Sequence, residues 1–279
     1  LVLLSGATPA TSAFFRCAYA VPALAALAWA EARRQGPLTW RPRALAWAAG
    51  LFFALDLLCW HRSIGYVGAG LATVLGNLQV FVVAFAAWAL LGERPSPRLM
   101  VATPVVFGGV VLISGLLDEA AYGSDPALGV FFGALTSLSY AAYLMLLRAC
   151  GRRAAGPLAH ATVASTVVIA LLGPGFGGVE YAFGWPSHGW LLLLALGPQV
   201  AGWALISYSL PRQPAALTSL LLLVQPVCAL GVAAAVLGER PSPLQLLGCA
   251  VIAAGVLYGS RQPAASAAAQ DEQVPKTST

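Results

Sequence analysis

The sequence predicts an all-α, polytopic membrane protein with a ten-helix inverted-repeat (5+5) fold, and three observations lead there. Hydrophobic residues make up 59% of the 279 residues and charged residues 9%, whereas soluble proteins carry about 25% charged residues. Apolar runs recur along the chain at the length of a membrane-spanning helix, which takes about 20 residues. The heptapeptide Leu-Gly-Glu-Arg-Pro-Ser-Pro occurs twice, at residues 91–97 and 237–243.

The two heptapeptides belong to a longer internal repeat with an offset of 146 residues. At this offset Gln79 corresponds to Gln225, and Thr73 corresponds to Ser219. We therefore expect two related halves, an N-terminally truncated first repeat and a second repeat, followed by a disordered cytoplasmic tail. Their predicted bounds are 1–117 for the first repeat, 118–126 for an acidic linker, 127–260 for the second repeat and 261–279 for the tail.

Each heptapeptide is interpreted as a tight turn between two helices. Gly92 and Gly238 lie just past the end of an apolar run, where helices favour glycine. Ser96 and Ser242 each precede a proline, which is the arrangement of an N-cap and a first helical residue. Cap and turn chemistry thus favours a structural role over direct contact with a ligand.

Five predicted spans make up the first half. The first is residues 1–5, an abrupt apolar start that we interpret as the end of a helix largely missing from the chain. The second, 9–31, begins at a proline and ends before an arginine-rich loop at 33–43. The third is 43–60. The fourth, 70–91, ends at the first heptapeptide, and the fifth, 97–117, ends before the acidic linker.

The second half repeats this order. The sixth span, 127–148, ends at a basic loop, and the seventh, 158–173, ends before a segment rich in glycine and aromatic residues. The eighth span is 188–207. The ninth, 215–237, ends at the second heptapeptide, and the tenth, 243–258, begins at its final proline.

The positions of lysine and arginine predict the orientation. One side of the predicted topology carries twelve: Arg33, Arg34, Arg41, Arg43, Arg94, Arg98, Arg148, Arg152, Arg153, Arg212, Arg261 and Lys276. The other side carries Arg62 and Arg240. This asymmetry places both termini in the cytoplasm. Because five helices per half is an odd number, the two halves have opposite orientations, and the first heptapeptide faces the cytoplasm.

Several other classes of protein find no support in the sequence. The net charge of +5 does not indicate nucleic-acid binding, because the arginines lie in loops between apolar runs. The five cysteines lack metal-ligand spacing, and they are interpreted as small packing residues. A phosphate-binding glycine loop, an HExxH pattern and a nucleophile elbow are all missing from the sequence. We predict that the protein is not an enzyme and uses no cofactor or metal.

The chain resembles the drug/metabolite transporter superfamily, EamA type. The resemblance is carried by the two heptapeptides, the glycine-bearing helices after them and Phe15-Arg16 in the second span. It covers the chain apart from the missing first helix and the tail. It implies a transporter fold of two inverted five-helix repeats and the movement of small metabolites, often outward. It does not fix a substrate.

The predicted function is therefore a secondary transporter that exports small metabolites, such as amino acids, across the cytoplasmic (inner) membrane by alternating access. The partners expected are the lipid bilayer and a small-molecule substrate, with a proton as an optional coupling ion and no nucleic acid. One alternative is a non-transporting membrane scaffold or sensor. Another is a membrane-embedded enzyme, which needs a cluster of ionisable residues at one depth, and only Arg16 and Asp56 qualify.

Arg16 and Asp56 are charges inside spans, where each costs roughly 2.5–3.5 kcal/mol on insertion scales. Both lie at similar depth, about 10 Å from the outer side at 1.5 Å per residue. One interpretation is a structural ion pair between the second and third spans. The other is that Arg16 binds an anionic group of the substrate, or that Asp56 takes a coupling proton.

Gln79 and Gln225 lie near the middle of their spans and correspond to each other in the repeat. Either a substrate cavity at the repeat interface or a neighbouring helix supplies partners for such amides, and the sequence leaves both possibilities open. Asn77 is a further candidate. It faces away from Gln79, because two residues turn a helix by about 200°.

Aromatic residues and a Pro-Gln pair complete the predicted substrate-binding set. Aromatic residues near span ends more often anchor the chain at the membrane interface, but those nearer the middle favour a pathway. Pro198 frees backbone carbonyls beside Gln199, which suits a binding site or a hinge. The full predicted set is Arg16, Tyr19, Asp56, Trp60, Asn77, Gln79, Tyr140, Gln199, Trp203 and Gln225.

Small residues characterise the fifth and tenth spans. Gly108, Gly109, Gly248 and Gly255 are expected to let neighbouring helices approach closely. We therefore predict that these two spans form a scaffold, with a homodimer surface as an option, and that they do not contact substrate.

Overall fold

A computed structural model of the chain describes residues 2–114, 125–237 and 242–260. Most of the predicted linker and the whole predicted tail lie outside these ranges. The described residues contain no strand, which confirms the all-α prediction.

Twelve α-helices occur in the described ranges, and they are labelled in chain order. They are α1 (Val2–Ser5), α2 (Pro9–Gln35), α3 (Trp40–Asn77), α4 (Gln79–Leu91), α5 (Pro97–Ile113), α6 (Pro126–Ala149), α7 (Ala155–Leu172), α8 (Ser187–Leu194), α9 (Trp203–Ser209), α10 (Ala215–Leu222), α11 (Gln225–Leu237) and α12 (Pro243–Ser260). A π-helical segment, Ala195–Gly202, joins α8 to α9, and 3-10 turns follow α7 (Gly173–Phe176) and α9 (Leu210–Arg212).

Seven helical stretches in the described part of the chain are long and apolar enough to cross a membrane. Two shorter apolar helices accompany them, at Pro97–Ile113 and Ala215–Cys228. Large apolar side chains on the outside of the bundle, such as Leu90 and Leu171, are about three-quarters exposed, at 76% and 73%. Such a surface needs lipid as its solvent. The chain is a multi-pass membrane protein.

The third span, predicted to end at residue 60, extends to Gly68. Helix α3 runs from Trp40 to Asn77, and within it only Gly68 leaves the helical conformation, with φ 78° and ψ 163°. No proline occurs between the third span and Gly68, so nothing ends the helix earlier. Glycine adopts positive φ without a steric penalty, and it makes the kink. His61 and Arg62 therefore lie inside a helix and not at its end.

The chain reverses its direction at this kink. Ser63 donates a hydrogen bond to the carbonyl of Gly129 at 2.9 Å, near the start of α6. After the kink, the carbonyl of Gly76 accepts from Ser137, further along the same helix, at 3.1 Å. The two parts of α3 are thus separate spans, 40–68 and 71–91 when the second is continued into α4.

The fourth and ninth spans, predicted as unbroken helices, are each broken near the middle. The first break is at Leu78. Next to it, the Asn77 side chain donates a hydrogen bond to the carbonyl of Thr73 at 2.8 Å and competes with the backbone hydrogen bonds of the helix. The second precedes Gln225, and Pro226 lacks the amide that would continue the ladder. At the 146-residue offset the two breaks coincide, because α4 begins at Gln79 and α11 begins at Gln225.

The eighth span is also longer and less regular than predicted. It runs from Ser187 to Arg212 and contains the π-helical turn. Pro198 lies within that turn. Its missing amide and its ring disturb regular α-helical bonding, and π-bulges are frequent at functional sites.

Helices related by the repeat run in opposite directions. Glu31, near the end of α2, accepts hydrogen bonds from the amides of Ala154, Ala155 and Gly156 at the start of α7, at 2.8–3.2 Å. The start of α12 likewise meets the end of α5, where Gln245 Nε2 donates to the carbonyl of Ile113 at 3.3 Å. The halves are therefore inverted relative to each other.

The heptapeptides form the predicted helix caps wherever the structure describes them. Gly92 has φ 68° and ψ 11°, the left-handed conformation of a helix C-cap. Ser96 Oγ accepts from the amide of Leu99 at 3.2 Å. In the second copy, Ser242 and Gln245 form a reciprocal capping box, with bonds of 3.3 Å and 2.9 Å. The interpretation of Gly238 lies outside the described residues.

The glycines of α5 and α12 allow the close approach predicted for them, with one exception. A Cβ added at Gly109 would lie 2.7 Å from Ile252, and one at Gly248 would lie 2.7 Å from the Gly109 carbonyl. Gly255 is similarly close to Val106. Gly108 has no atom within 4 Å of its added Cβ, so it faces away from this interface.

Arginines and backbone carbonyls meet at one end of the bundle. Arg153 donates to the carbonyl of Gly36 at 2.6 Å, and Arg212 donates to the carbonyl of Arg152 at 3.5 Å. Arg148 donates to the carbonyl of Gln213 at 2.9 Å. We call this the arginine-rich end, and it serves below as the reference for depth along the helices.

Candidate functional site

A cavity of about 570 Å³ lies between the two halves. Each half contributes eight lining residues: Arg16, Phe53, Asp56, Leu57, Trp60, Thr73, Gly76 and Asn77 from the first, and Thr136, Tyr140, Pro198, Gly202, Trp203, Ile206, Gln225 and Pro226 from the second. The volume is in the range of small-molecule sites, roughly 300–1,000 Å³. The inverted repeat thus builds a shared site at its interface.

The cavity is displaced from the arginine-rich end. Tyr140 lies about 14 Å along α6 from Ala149, and Arg16 lies about 10 Å along α2 from Pro9, at 1.5 Å per residue. Ala149 is at the arginine-rich end and Pro9 is at the opposite end. The lining therefore extends from the middle of the bundle toward that opposite end.

Arg16 is the cation of the cavity. Its Nε donates a hydrogen bond to Oε1 of Gln199 at 2.8 Å, and its guanidinium carbon lies 5.6 Å from the centre of the Phe53 ring. Gln199 is fully buried in the π-helical segment, so its amide is held in place. The two terminal nitrogens of Arg16 make no hydrogen bond to any residue in the described ranges. They remain able to bind an anionic group.

Asp56 is the carboxyl group of the same cavity. It accepts no hydrogen bond and forms no ion pair with the residues that the structure describes. The predicted ion pair between Arg16 and Asp56 is therefore not formed. Gln199 and Phe53 hold the guanidinium group instead. Arg16 and Asp56 line one cavity without direct contact.

Neutral polar groups surround these charges. Asn77 donates to the carbonyl of Thr73 at 2.8 Å, which leaves its side-chain oxygen as an acceptor. The side-chain amide of Gln225 and the hydroxyl of Tyr140 belong to the same lining. The hydroxyl of Thr136 is buried and has no partner among the described residues. The cavity thus offers donors and acceptors in addition to its two charges.

Aromatic rings close the cavity toward the arginine-rich end. Phe53 stacks on Tyr143 with a centroid distance of 4.7 Å, and Trp203 packs edge-on against both rings at 5.4 and 4.7 Å. Tyr143 is only 1% exposed and lies one turn beyond Tyr140 along α6. This aromatic floor separates the cavity from the arginine-rich end.

A charged contact lies beyond the aromatic floor. Glu93, just after α4, pairs with Arg148 at the end of α6. The other oxygen of Glu93 accepts from the amide of Ala215, the first residue of α10, at 3.1 Å. The carboxylate thereby ties the first half to the second. We call this set of contacts the Glu93 latch.

The model of the EamA-like transporter family matches this sequence twice, over residues 2–115 and 127–260. The two matches together cover most of the chain. The chain belongs to the EamA-like transporter family. The matches place one copy of the family's repeat in each half, as the 146-residue offset predicts, and the family is one of transporters.

A solved structure shares the fold of this family member. It is described only as the crystal structure of a protein, and it superposes with a TM-score of 0.74 at 17% sequence identity. The match covers 92% of this chain and 89% of the other. No curated protein matches the sequence.

Seven of the ten residues predicted to bind substrate in this EamA-like transporter line the cavity. They are Arg16, Asp56, Trp60, Asn77, Tyr140, Trp203 and Gln225. The other three lie outside the lining. Tyr19 bonds to Nδ1 of His188 at 2.6 Å, Gln199 bonds to Arg16, and Gln79 is fully buried with no partner in the described ranges.

Nine lining residues, most of them apolar, escaped the prediction, and the repeat itself contained a signal for some of them. Asp56, Leu57 and Trp60 of α3 correspond at the 146-residue offset to positions 202, 203 and 206, and all six line the cavity. Applying the offset to each predicted residue would have added Phe53, Leu57, Gly202 and Ile206, the counterparts of Gln199, Trp203, Asp56 and Trp60. Thr136 had no such signal.

Proposed function

We propose that the protein is a secondary carrier for a small amphipathic zwitterion, such as an amino acid or a related compound. The observation that carries this proposal is that Arg16 and Asp56 line one cavity without pairing. A substrate with a carboxylate and an ammonium group complements both. Each contact would be a charge-assisted hydrogen bond, which is stronger than a neutral one.

The cost of burying charge supports this assignment. A charged side chain inside the membrane costs roughly 2.5–3.5 kcal/mol on insertion scales, and pairing with an opposite charge reduces that cost. Arg16 and Asp56 forgo such pairing, although both reach the same cavity. A binding site needs charges that are free to meet a ligand, and a purely structural pair does not.

The remaining lining suits an amphipathic molecule. Trp60, Trp203 and Leu57 supply apolar surface for a side chain, while Asn77 and Gln225 supply polar contacts. Ligand sites commonly combine a mostly apolar wall with a few placed polar groups. The substrate class follows from this combination.

Alternating access between the inverted halves would move the substrate, because inverted repeats of transporters rock around a midplane site. The arginine-rich end is assigned to the cytoplasm by the positive-inside rule. Both termini are then cytoplasmic, the cavity faces outward, and the direction proposed is export across the cytoplasmic membrane. Asp56 is the residue proposed to exchange a coupling proton.

Counterflow in proteoliposomes tests this function. Vesicles loaded with unlabelled amino acids are expected to accumulate the labelled substrate with the native protein. The Arg16→Ala variant is expected to lose this activity, because it removes the anion-binding group. Substrate binding without counterflow would instead indicate a sensor. No binding or counterflow with amino acids, organic acids, sugars or nucleosides would contradict the proposal.

A further inference from the structure

In each half of the repeat, a broken helix contributes lining residues to the cavity. These residues precede the break in one helix and follow it in the other. In the first half, Thr73, Gly76 and Asn77 line it, and all three precede the break at Leu78. In the second half, Gln225 and its neighbour Pro226 line it, and both follow the break. Equivalent helices thus make different contributions in this conformation.

The repeat-related counterparts of these lining residues are all buried away from the cavity. In the order of the residues above they are Ser219, Leu222, Leu223, Gln79 and Val80. Because the halves are inverted, lining residues of both helices lie on the side of the breaks away from the arginine-rich end. The buried counterparts lie on the side toward it.

Gln79 is the most informative of these counterparts. Its side chain is 0% exposed, and neither its oxygen nor its nitrogen has a hydrogen-bond partner among the described residues. Leaving a buried polar group unpaired costs about 1–3 kcal/mol. Its counterpart Gln225 lines the cavity, as does Tyr140. In this conformation no described residue pairs with the amide of Gln79.

Gln79 begins α4 and Ser219 lies within α10, and these two helices pack against each other. Glu93 holds this contact from outside, because it follows α4 and accepts from the first amide of α10 at 3.1 Å. Arg148 neutralises the same carboxylate. The end of α4 and the start of α10 are therefore joined at the arginine-rich end by the Glu93 latch.

We propose that α4 and α10 separate in a second conformation, and that Gln79 and Ser219 then line a cavity open to the arginine-rich end. This inference rests on the alternating access proposed above. In that conformation Gln79 takes the place that Gln225 has now, and Ser219 takes the place of Thr73. The amide of Gln79 gains the polar partners that it lacks here, from the substrate or from water.

Cysteine accessibility tests this exchange of lining residues, in which Gln79 replaces Gln225 and Ser219 replaces Thr73. Single variants Asn77→Cys, Gln225→Cys, Gln79→Cys and Ser219→Cys are made with Cys228 and Cys249 replaced by alanine, and the parent without a new cysteine gives the background. A membrane-impermeant thiol reagent is applied separately to each face of sealed vesicles. An Arg152→Cys variant, in an exposed loop at the arginine-rich end, identifies that face.

The expected labelling differs between the two pairs. Asn77→Cys and Gln225→Cys react from the face opposite the arginine-rich end. Gln79→Cys and Ser219→Cys react only from the arginine-rich face. If Gln79→Cys and Ser219→Cys instead react from the same face as Asn77→Cys, the proposed exchange is wrong.

Opening the Glu93 latch gives a second, independent readout. Glu93→Gln removes a charge-assisted contact, and it is expected to raise labelling of Gln79→Cys and Ser219→Cys at least about tenfold while labelling of Gln225→Cys falls. Glu31→Gln is the matched control, because Glu31 caps α7 at the same end but does not touch α4 or α10. Unchanged labelling in Glu93→Gln, or an equal rise in Glu31→Gln, would overturn the assignment of this contact.

The two proposals fail in distinguishable ways. Reciprocal labelling without counterflow would contradict the carrier function and leave the exchange supported. Counterflow by a protein in which Gln79→Cys and Ser219→Cys never react from the arginine-rich face, even with Glu93→Gln, would support the carrier and overturn the exchange.

Discussion

Arg16 and Gln199 lie 183 residues apart in sequence, and Nε of Arg16 donates to Oε1 of Gln199 at 2.8 Å. The bond joins α2 of the first half to the π-helical segment of the second. Because Gln199 is fully buried, it sets the direction of the guanidinium plane and leaves the two terminal nitrogens for the cavity. We therefore propose that Gln199, predicted to bind substrate, instead orients Arg16.

Gln199→Leu is expected to weaken substrate binding without removing the charge of Arg16. A hydrogen bond to a charged group contributes about 1.5–3 kcal/mol, so the half-saturation concentration for counterflow should rise roughly tenfold to a hundredfold. The maximal rate should change less, since Arg16 remains present. Gln213→Leu is the control, because only the backbone carbonyl of Gln213 is used, by Arg148. An unchanged half-saturation concentration in Gln199→Leu would contradict the orienting role.

The fold was largely predictable because its signals are local and repeated. The helix ends at Leu91 and the cap at Ser96 follow from residues within one turn, and the offset of 146 transfers such signals between the halves. The break at Leu78 was not predictable in this way. It depends on the hydrogen bond from the Asn77 side chain to the carbonyl of Thr73, which is one of several acceptors that an amide can bind.

The cavity was predictable where charge inside a span marked it, as for Arg16 and Asp56. The pairing of these charged groups was not predictable, because a competing partner, Gln199, comes from a distant part of the sequence. The different surroundings of Gln79 and Gln225 were also not predictable. They occupy equivalent positions in the repeat, yet Gln79 is buried and Gln225 lines the cavity.

Asp56→Asn is expected to uncouple transport from a proton gradient. The amide has the size of the carboxyl group but neither exchanges a proton near neutral pH nor attracts an ammonium group by charge. Substrate movement driven by a pH gradient across the vesicle membrane should be lost, while a weaker exchange of labelled for unlabelled substrate persists. Proton-coupled movement is measured in vesicles with and without an imposed gradient.

The control for this variant is Asp125→Asn. Asp125 caps α6 through a bond from the amide of Leu128 at 3.1 Å, outside the cavity. Its replacement should leave coupling intact. If Asp56→Asn retains the native response to the gradient, Asp56 does not carry the proton.

Tyr140→Phe is expected to raise the half-saturation concentration by a smaller factor. The change removes a hydroxyl of the cavity lining and keeps the ring, which packs on Trp203 at 6.0 Å. A neutral hydrogen bond contributes about 0.5–1.5 kcal/mol, which corresponds to a factor of roughly two to ten. Tyr66→Phe should have no effect, because Tyr66 stacks on Phe132 away from the cavity. Equal effects of the two variants would place the Tyr140 hydroxyl outside the binding site.

Gly109→Ala is expected to destabilise the packing of α5 against α12, whereas Gly108→Ala is not. The new Cβ of Gly109→Ala would lie 2.7 Å from Ile252 and 3.0 Å from the carbonyl of Gly248, so one helix must move. Overpacking of this kind costs about 1–3 kcal/mol. At Gly108 the Cβ meets no atom within 4 Å, and alanine has the higher helix propensity, so stability should be equal or slightly greater.

Thermal unfolding of the two purified variants in the same detergent measures this difference. Both variants replace a glycine of the same helix by alanine. They differ only in whether the new methyl group faces α12. A lower unfolding temperature for Gly109→Ala alone would support the tight contact with α12. Equal temperatures would mean that α12 shifts to accommodate a methyl group at no measurable cost, and that the contact contributes little to the stability of the scaffold.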